Sequence, residues 1–290
     1  MINSDTFQRF LFEELQIRGE WVRLESSFQE ATKGVDYPSA IKELLGQAVA
    51  ASVLLTGTLK FNGRLSIHAR SMGGEGKGPI SLLMAEASNK RTFRGLVNWD
   101  GDVVQGEVLS KLLGNAQLAI TIDPDQGQRY QGIVSLERDN LSDCLAQYFE
   151  LSEQLDTYLL LGADDEGCFG LMLQKLPDYR DLEDQDAWDR IIHIAKTLKK
   201  DELLNTDNET LLMRLFHEEK VISYEPETVS FSCSCSRERT IASIEQLGQE
   251  EALEILEEEA EISVACQFCG TNYAFDRADI QSLFKLGRAH

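Results

Sequence analysis

Apolar residues recur at helical intervals near the start of the chain, at Phe7, Phe10, Leu11 and Leu15, and again at Ile41, Leu44, Leu45, Ala48 and Val49 after Pro38. This spacing predicts two core helices, the second opening beside a proline whose fixed φ suits a first helical turn. Between and after them the period drops to two. The segments "GRLSIHARS", "GPISLLMAEAS", "RTFRGLVNWDGDVVQGEV" and "LAITIDPDQGQRYQGIVSLE" alternate apolar and polar residues around turn-rich breaks such as "DPDQGQ", which predicts hairpins. "NLSDCLAQYFELSEQL" returns to a helical stripe of Leu141, Cys144, Leu145 and Tyr148, and "TYLLLGADDEGCFGLMLQKL" reads as a strand pair about a Gly and Asp turn. Residues 1–176 therefore read as an N-terminal α+β domain built on an antiparallel sheet.

From Pro177 the texture changes. "PDYRDLEDQDAWDR" is acidic and leads into two short amphipathic stripes, Trp188, Ile191, Ile192, Ala195 and Leu198, then Leu211, Leu212, Leu215 and Phe216, with Thr206 and Glu209 spaced as a capping box for the second. Helices this short do not hold in water alone. Residues 177–231 read as a metastable helical linker whose stripes must rest on either the first domain or the last segment. A permanently docked linker and one that docks only while its support is folded share this pattern.

The last segment, 232–290, carries a stripe of Ile241, Ile244 and Leu247 before Gly248, a helix stop, and then "SVACQFCGTNYAF", two short strands joined by a cysteine knuckle. Asp276 is placed to cap a final helix containing Ile280, Leu283 and Phe284. So few large apolar side chains make a marginal core, which calls for a staple.

Composition narrows the function classes. The formal net charge of −21 over 290 residues repels phosphate backbones and anionic lipids, which argues against nucleic-acid and membrane partners. The start, "MINSDTFQRFLFEEL", lacks the basic and apolar regions of a secretory signal, and "AVAASVLLTGTL" falls short of a membrane span. A cytoplasmic protein is expected, and in that reducing compartment clustered cysteines point to metal or redox chemistry.

Of six cysteines, four stand near the C-terminal end, Cys233 and Cys235 flanking one serine, and Cys266 and Cys269 in a C-x-x-C-G knuckle. Two such pairs brought together by a fold suit one tetrahedral Zn²⁺. The spacing by itself fits an architectural site. Thiolates, however, are the form oxidants attack, and a disulfide across a single residue is strained and easily reduced. Structural zinc is worth roughly 10–16 kcal/mol to small domains, against roughly 3–5 kcal/mol from an unstapled core of this size. Losing the metal should unfold the segment. Cys144 and Cys168 sit in helix and strand patterns and read as packed small residues.

The residues also carry a family resemblance. "SCSCSRER", the preceding "HEEKVISYEPETVSF", "CQFCGTNYAFDRADI", and in the first domain "RYQGIVSLE", "LLTGTLKFNG" and "FLFEEL" followed by "IRGEWV" together resemble the redox-regulated 33-kilodalton heat-shock chaperone family along essentially the whole chain. The resemblance implies an ATP-independent holdase, inactive when reduced and zinc-bound. It implies too that oxidation of Cys233, Cys235, Cys266 and Cys269 would release the zinc, destabilise the linker and expose a surface for unfolding client proteins. That surface would include Trp188, Ile191, Ile192, Leu212, Leu215 and Phe216. It further implies disulfides joining Cys233 with Cys235 and Cys266 with Cys269, where sequence alone leaves three connectivities, and a homodimer in the activated state.

Two rival classes remain. Cys266 and Cys269 would serve a thiol-disulfide oxidoreductase, but no βαβ pattern surrounds them. A zinc-ribbon binding module is the other, and 5 basic against 11 acidic residues over 232–290 argue against a nucleic-acid ligand for it. "HEEK" at 217–220 lacks the second histidine of a zinc protease, and "GGEGKGP" lacks the Ser or Thr of a phosphate loop, so no other enzyme site emerges.

Overall fold

The computed structural model describes residues 4–58, 62–176, 184, 186–199, 202–203 and 206–286. Strands β1 (Thr6–Phe12) and β2 (Ile17–Leu24) open the chain, followed by helices α1 (Ser26–Thr32) and α2 (Ser39–Gly57). The hairpin strands come next: β3 (Gly63–Ser71), β4 (Ile80–Ser88), β5 (Thr92–Trp99), then α3 (Leu109–Leu113), β6 (Ala116–Pro124) and β7 (Tyr130–Val134). Helix α4 (Leu141–Tyr148) runs on into a π-helical turn at Phe149–Glu153 and is followed by β8 (Thr157–Ala163) and β9 (Cys168–Lys175).

These elements form two six-stranded sheets. The first runs β10-β1-β2-β9-β8, with β11 also on β1; the second runs β12-β5-β4-β3-β6-β7. The late strands are β10 (Val221–Ser223), β11 (Glu227–Thr228) and β12 (Ser230–Phe231), and apart from β12, which joins β5 in parallel, neighbouring strands are antiparallel. Helix α2 contacts strands of both sheets, and its apolar residues are buried almost all round. By length and composition α2 could cross a membrane, more than the sequence reading allowed, yet 72% of its most apolar window is buried inside the protein. Its last residue, Gly57, lacks a side chain where a Cβ would meet the Phe7 ring at 2.4 Å and the Glu20 carboxylate at 2.8 Å. Close approach of helix to strand therefore requires glycine there.

The predicted first helix is a strand. Phe7 packs into the core around α2, whereas Phe10 and Phe12 face the opposite side of the sheet, in a second apolar cluster with Leu15, Ile17, Trp21, Phe169, Leu171 and Leu173. A strand buried on both faces loses its alternation, and the surviving spacing imitated a helix. What covers the second face is the segment after Pro177. Helices α5 (Ala187–Ala195) and α6 (Asn208–Phe216) bury Ala187, Ile191, Ala195, Leu211, Leu212 and Phe216 in that cluster. The first domain thus supplies the support the two stripes need. The cap of α6 is Asp207, whose carboxylate accepts the Thr210 N–H at 2.9 Å; Thr206 lies one residue too early. Residues 177–183, which open the acidic run, lie outside the described residues.

The chain divides into two compact units, one comprising 1–32 and 37–232, the other 33–36 and 233–290. The segment 184–231 thus counts with the larger unit. The smaller unit contains α7 (Arg237–Leu247), α8 (Gln249–Glu258), the hairpin β13 (Ile262–Ala265) and β14 (Asn272–Phe275), and α9 (Arg277–Leu286). Its buried apolar core is small, formed by Ile244, Ala252, Leu256, Ile262, Phe275 and Ile280.

Candidate metal centre

The β13–β14 hairpin fixes one half of the centre. Ala265 pairs with Asn272, and the connecting knuckle closes through Cys266 N–H to Thr271 O at 2.9 Å and Gly270 N–H to Cys266 O at 2.8 Å. Gly270 takes φ +69°, a left-handed conformation that glycine adopts without strain. This turn presents Cys266 and Cys269 from the same side.

The other half comes from the stretch before α7. Ser236 caps that helix by accepting the Arg239 N–H, and Arg239 turns back to donate to the Ser234 carbonyl and hydroxyl at 2.7 Å each. Arg237 ties this stretch to the hairpin. It donates to the Ala274 carbonyl and to Asp279 at 2.6 Å, and its guanidinium lies 4.2 Å over the Phe275 ring. Asp276 caps α9 through Asp279 N–H at 2.8 Å, as its position in the sequence predicts.

The result is a cluster of the four sulfurs of Cys233, Cys235, Cys266 and Cys269, all within 4.8 Å of one another and half-buried. The Cys233–Cys266 and Cys235–Cys269 separations are 3.6 and 3.4 Å. A tetrahedron with metal–sulfur bonds of about 2.3 Å has edges of about 3.8 Å, so the cage matches one ion ligated by four thiolates. Burial pushes the Cys233 thiol up to about 12. For Cys269 burial acts in the same direction but is outweighed by hydrogen bonds from Thr271 and the neighbouring cysteines, and its pKa falls to about 7.

The model of the Hsp33 protein family matches residues 5–276. The chain belongs to the Hsp33 family. It is 48% identical to the 33 kDa chaperonin of Hahella chejuensis over the full length of both chains, and 45% identical to that of Pseudomonas fluorescens over 97% of this chain and 94% of the relative. The crystal structure of the 33 kDa chaperonin of Thermotoga maritima superposes with a TM-score of 0.83 at 22% identity, covering 99% of this chain and all of the other. That likeness establishes the fold, mixed helix and sheet throughout.

Elsewhere in this Hsp33-family chain the remaining singled-out residues are packed. Cys144 on α4 and Cys168 on β9 are buried, and burial raises both thiols. Of the six apolar linker residues, Ile191, Leu212 and Phe216 are buried, and Trp188, Ile192 and Leu215 pack partly buried beside them. Phe216 meets Phe12 edge-on at 4.9 Å between centroids. Sequence reasoning missed two hydroxyls at the sulfurs. Tyr273 donates its hydroxyl to Cys235 at 3.2 Å, and Thr271 Oγ1 lies 3.2 Å from Cys269, where the hydroxyl donates once the sulfur is a thiolate. Thr271 follows the C-x-x-C-G run directly, so a polar residue at that position was the available signal; Tyr273 becomes visible only through the hairpin register.

Proposed function

We propose that the chain is a redox-regulated, ATP-independent holdase of the cytosol, closed when its four C-terminal cysteines are reduced and opened by their oxidation. One observation supports this reading above the others. In a fold in which no disulfide joins the cysteines, the apolar face of the linker is hidden against β1, β2 and β9. A closed form with concealed apolar surface is what a conditional chaperone needs, and the relatives named chaperonin favour that class.

Cys233, Cys235, Cys266 and Cys269 would hold one Zn²⁺ per reduced chain. Bound Zn²⁺ supplies a four-point cross-link to a unit whose own buried core is six apolar residues among those described. The residues do the rest. A peroxide oxidises two thiolates at a time: one sulfur attacks the O–O bond, expels hydroxide and becomes a sulfenic acid, and a second thiolate displaces hydroxide from it to leave a disulfide. We assign the bonds to Cys233 with Cys235 and Cys266 with Cys269. All six sulfur–sulfur separations within the cage are under 4.8 Å, so this pairing needs no large movement. Disulfide sulfurs no longer ligate, so the smaller unit loses its staple.

Loss of order then reaches the linker, which leads directly into the Cys233 segment through β10, β11 and β12. Each of these strands has only two or three residues. Undocking exposes Trp188, Ile191, Ile192, Leu212, Leu215 and Phe216 to unfolding clients. An exposed stripe of that kind also favours pairing of activated molecules into homodimers. No turnover is involved, and neither nucleic acid nor membrane takes part.

The test compares suppression of aggregation of a chemically unfolded protein by the reduced and the peroxide-treated chain, beside an insulin-reduction assay. Suppression that appears only after oxidation, without insulin turnover, supports the proposal. Insulin reduction at catalytic concentration would instead assign a thiol oxidoreductase.

A further inference from the structure

Tyr273 stands in an unusual position beside the sulfur cluster. Its ring, on β14 opposite Val264, packs partly buried against the core of the smaller unit, so the hydroxyl is carried on a fixed arm. That hydroxyl donates to Cys235 Sγ at 3.2 Å, across 38 residues of sequence. The Thr271 contact to Cys269, by contrast, is made within one knuckle. The Tyr273 bond therefore joins the two cysteine-bearing stretches to each other, beside the Arg237 links to Ala274 and Asp279.

A hydrogen bond to a thiolate draws electron density from sulfur. It lowers the sulfur's nucleophilicity and fixes its orientation, and partners of this kind change metal affinity by roughly 10–100-fold when removed. We propose that Tyr273 is a positioning residue of the redox centre whose hydroxyl restrains attack by Cys235 on hydroperoxides and so sets how much oxidant is needed to open the chain. The inference rests on the oxidation-controlled reading above. The step it governs is the one in which the Cys235 thiolate attacks a peroxide oxygen, the O–O bond breaks, hydroxide leaves, and the sulfur is oxidised to a sulfenic acid while the peroxide oxygens are reduced.

Tyr273→Phe removes the hydroxyl and keeps the ring. Two readouts independent of chaperone activity follow it in the full chain. The first is the thiolate-to-metal charge-transfer absorption of the Co²⁺-loaded protein. Without the hydrogen bond the sulfur lone pair rises in energy, so the band should move to longer wavelength. The second is the rate at which Cys235 is lost to hydrogen peroxide, followed by alkylation and mass spectrometry. It should rise roughly 3–10-fold, while Thr271→Val accelerates Cys269 and leaves Cys235 at the wild-type rate. If Tyr273→Phe fails to fold, 3-fluorotyrosine placed at 273 keeps ring and hydroxyl and strengthens the donor, so Cys235 should react more slowly than in wild type. An unmoved band together with an unchanged Cys235 rate overturns the inference. If Co²⁺ gives no thiolate band in either protein, the metal reading fails and the Cys235 rate alone decides this one. If oxidation never produces holdase activity, the activation reading fails while both measurements here stand.

Discussion

Arg23, 3% exposed on β2, donates its guanidinium to the Thr206 carbonyl at 2.6 Å and to the Leu203 carbonyl, so a buried cation of the first sheet holds the chain between the two linker helices. Burial lowers its pKa, a sign of how much hydration the guanidinium gave up. Carbonyl acceptors return part of that cost because hydrogen bonds to charged groups are among the stronger ones.

Replacing Arg23 with Met should therefore loosen the linker while leaving the sheet intact. A buried carbonyl at Leu203 and a half-buried one at Thr206 lose their donor, a cost of about 1–3 kcal/mol to docking. Hydrogen exchange should show faster amides at 187–195 and 208–216, with β2 and β9 still protected, and client binding should appear without oxidant. Unchanged protection at 208–216 would mean that apolar packing alone, Phe216 on Phe12 included, holds the linker.

Glu20 offers a pH prediction. It is buried on β2, and one carboxylate oxygen has no hydrogen-bond partner among the described residues. Burial raises its pKa to about 7 from an ordinary 4.5, against the pull of Arg18, Arg91 and Arg9 and with a smaller push from Glu227. An acid raised on folding takes up a proton as the chain folds. Stability is thus greatest below about pH 4.5 as far as this group is concerned, falls as pH rises to about 7, and is level above. The total is about 3 kcal/mol at 1.36 kcal/mol per pH unit. Urea unfolding of wild type and Glu20→Gln between pH 5 and 8 should show the variant gaining on wild type by up to that amount. Parallel curves would remove Glu20 from the account.

How far the sequence could be read depended on whether partners were local. Helix α2 was legible because Ile41, Leu44, Leu45, Ala48 and Val49 keep a helical period, and the β13–β14 hairpin because Cys266, Cys269 and Gly270 mark a knuckle whose closing bonds span five residues or fewer. Strand β1 was not, since its two buried faces erase alternation. Strands β10, β11 and β12 were not either. Each is too short to show a pattern, and the partners that define the first two, Phe10 with Ser223 and Phe7 with Glu227, lie more than 200 residues away. That the four cysteines belong together was readable from residue type and spacing, and the fold clusters their sulfurs; the hydroxyls beside them required the fold.

Cys144 and Cys168 are expected to be spectators. Both are buried, and burial holds both thiols in the unreactive protonated form. The double Ala variant should lose some packing stability, about 1–2 kcal/mol, yet keep the peroxide dose that activates wild type, read as suppression of client aggregation. A shifted dose in a folded variant would bring one of them into the switch.

The last prediction concerns direction, since oxidation should raise activity by removing order. The four sulfurs of Cys233, Cys235, Cys266 and Cys269 cluster in a unit whose own buried core among the described residues is six apolar side chains. Such a core supplies roughly 3–5 kcal/mol, less than the roughly 10–16 kcal/mol of a structural metal site. A chelator competing for the metal should therefore strip amide protection from 237–286, as should Cys266→Ser with Cys269→Ser. The sheets and α2 should stay protected, because their core around Phe7, Leu45 and Leu54 does not depend on the cysteines. Peroxide with mild heat should go further and release 187–216 as well, on the same time course as the gain in client binding. Activity rising while 187–216 stays protected would place the client surface elsewhere, and stoichiometric zinc in the double Ser variant would refute the four-cysteine site itself.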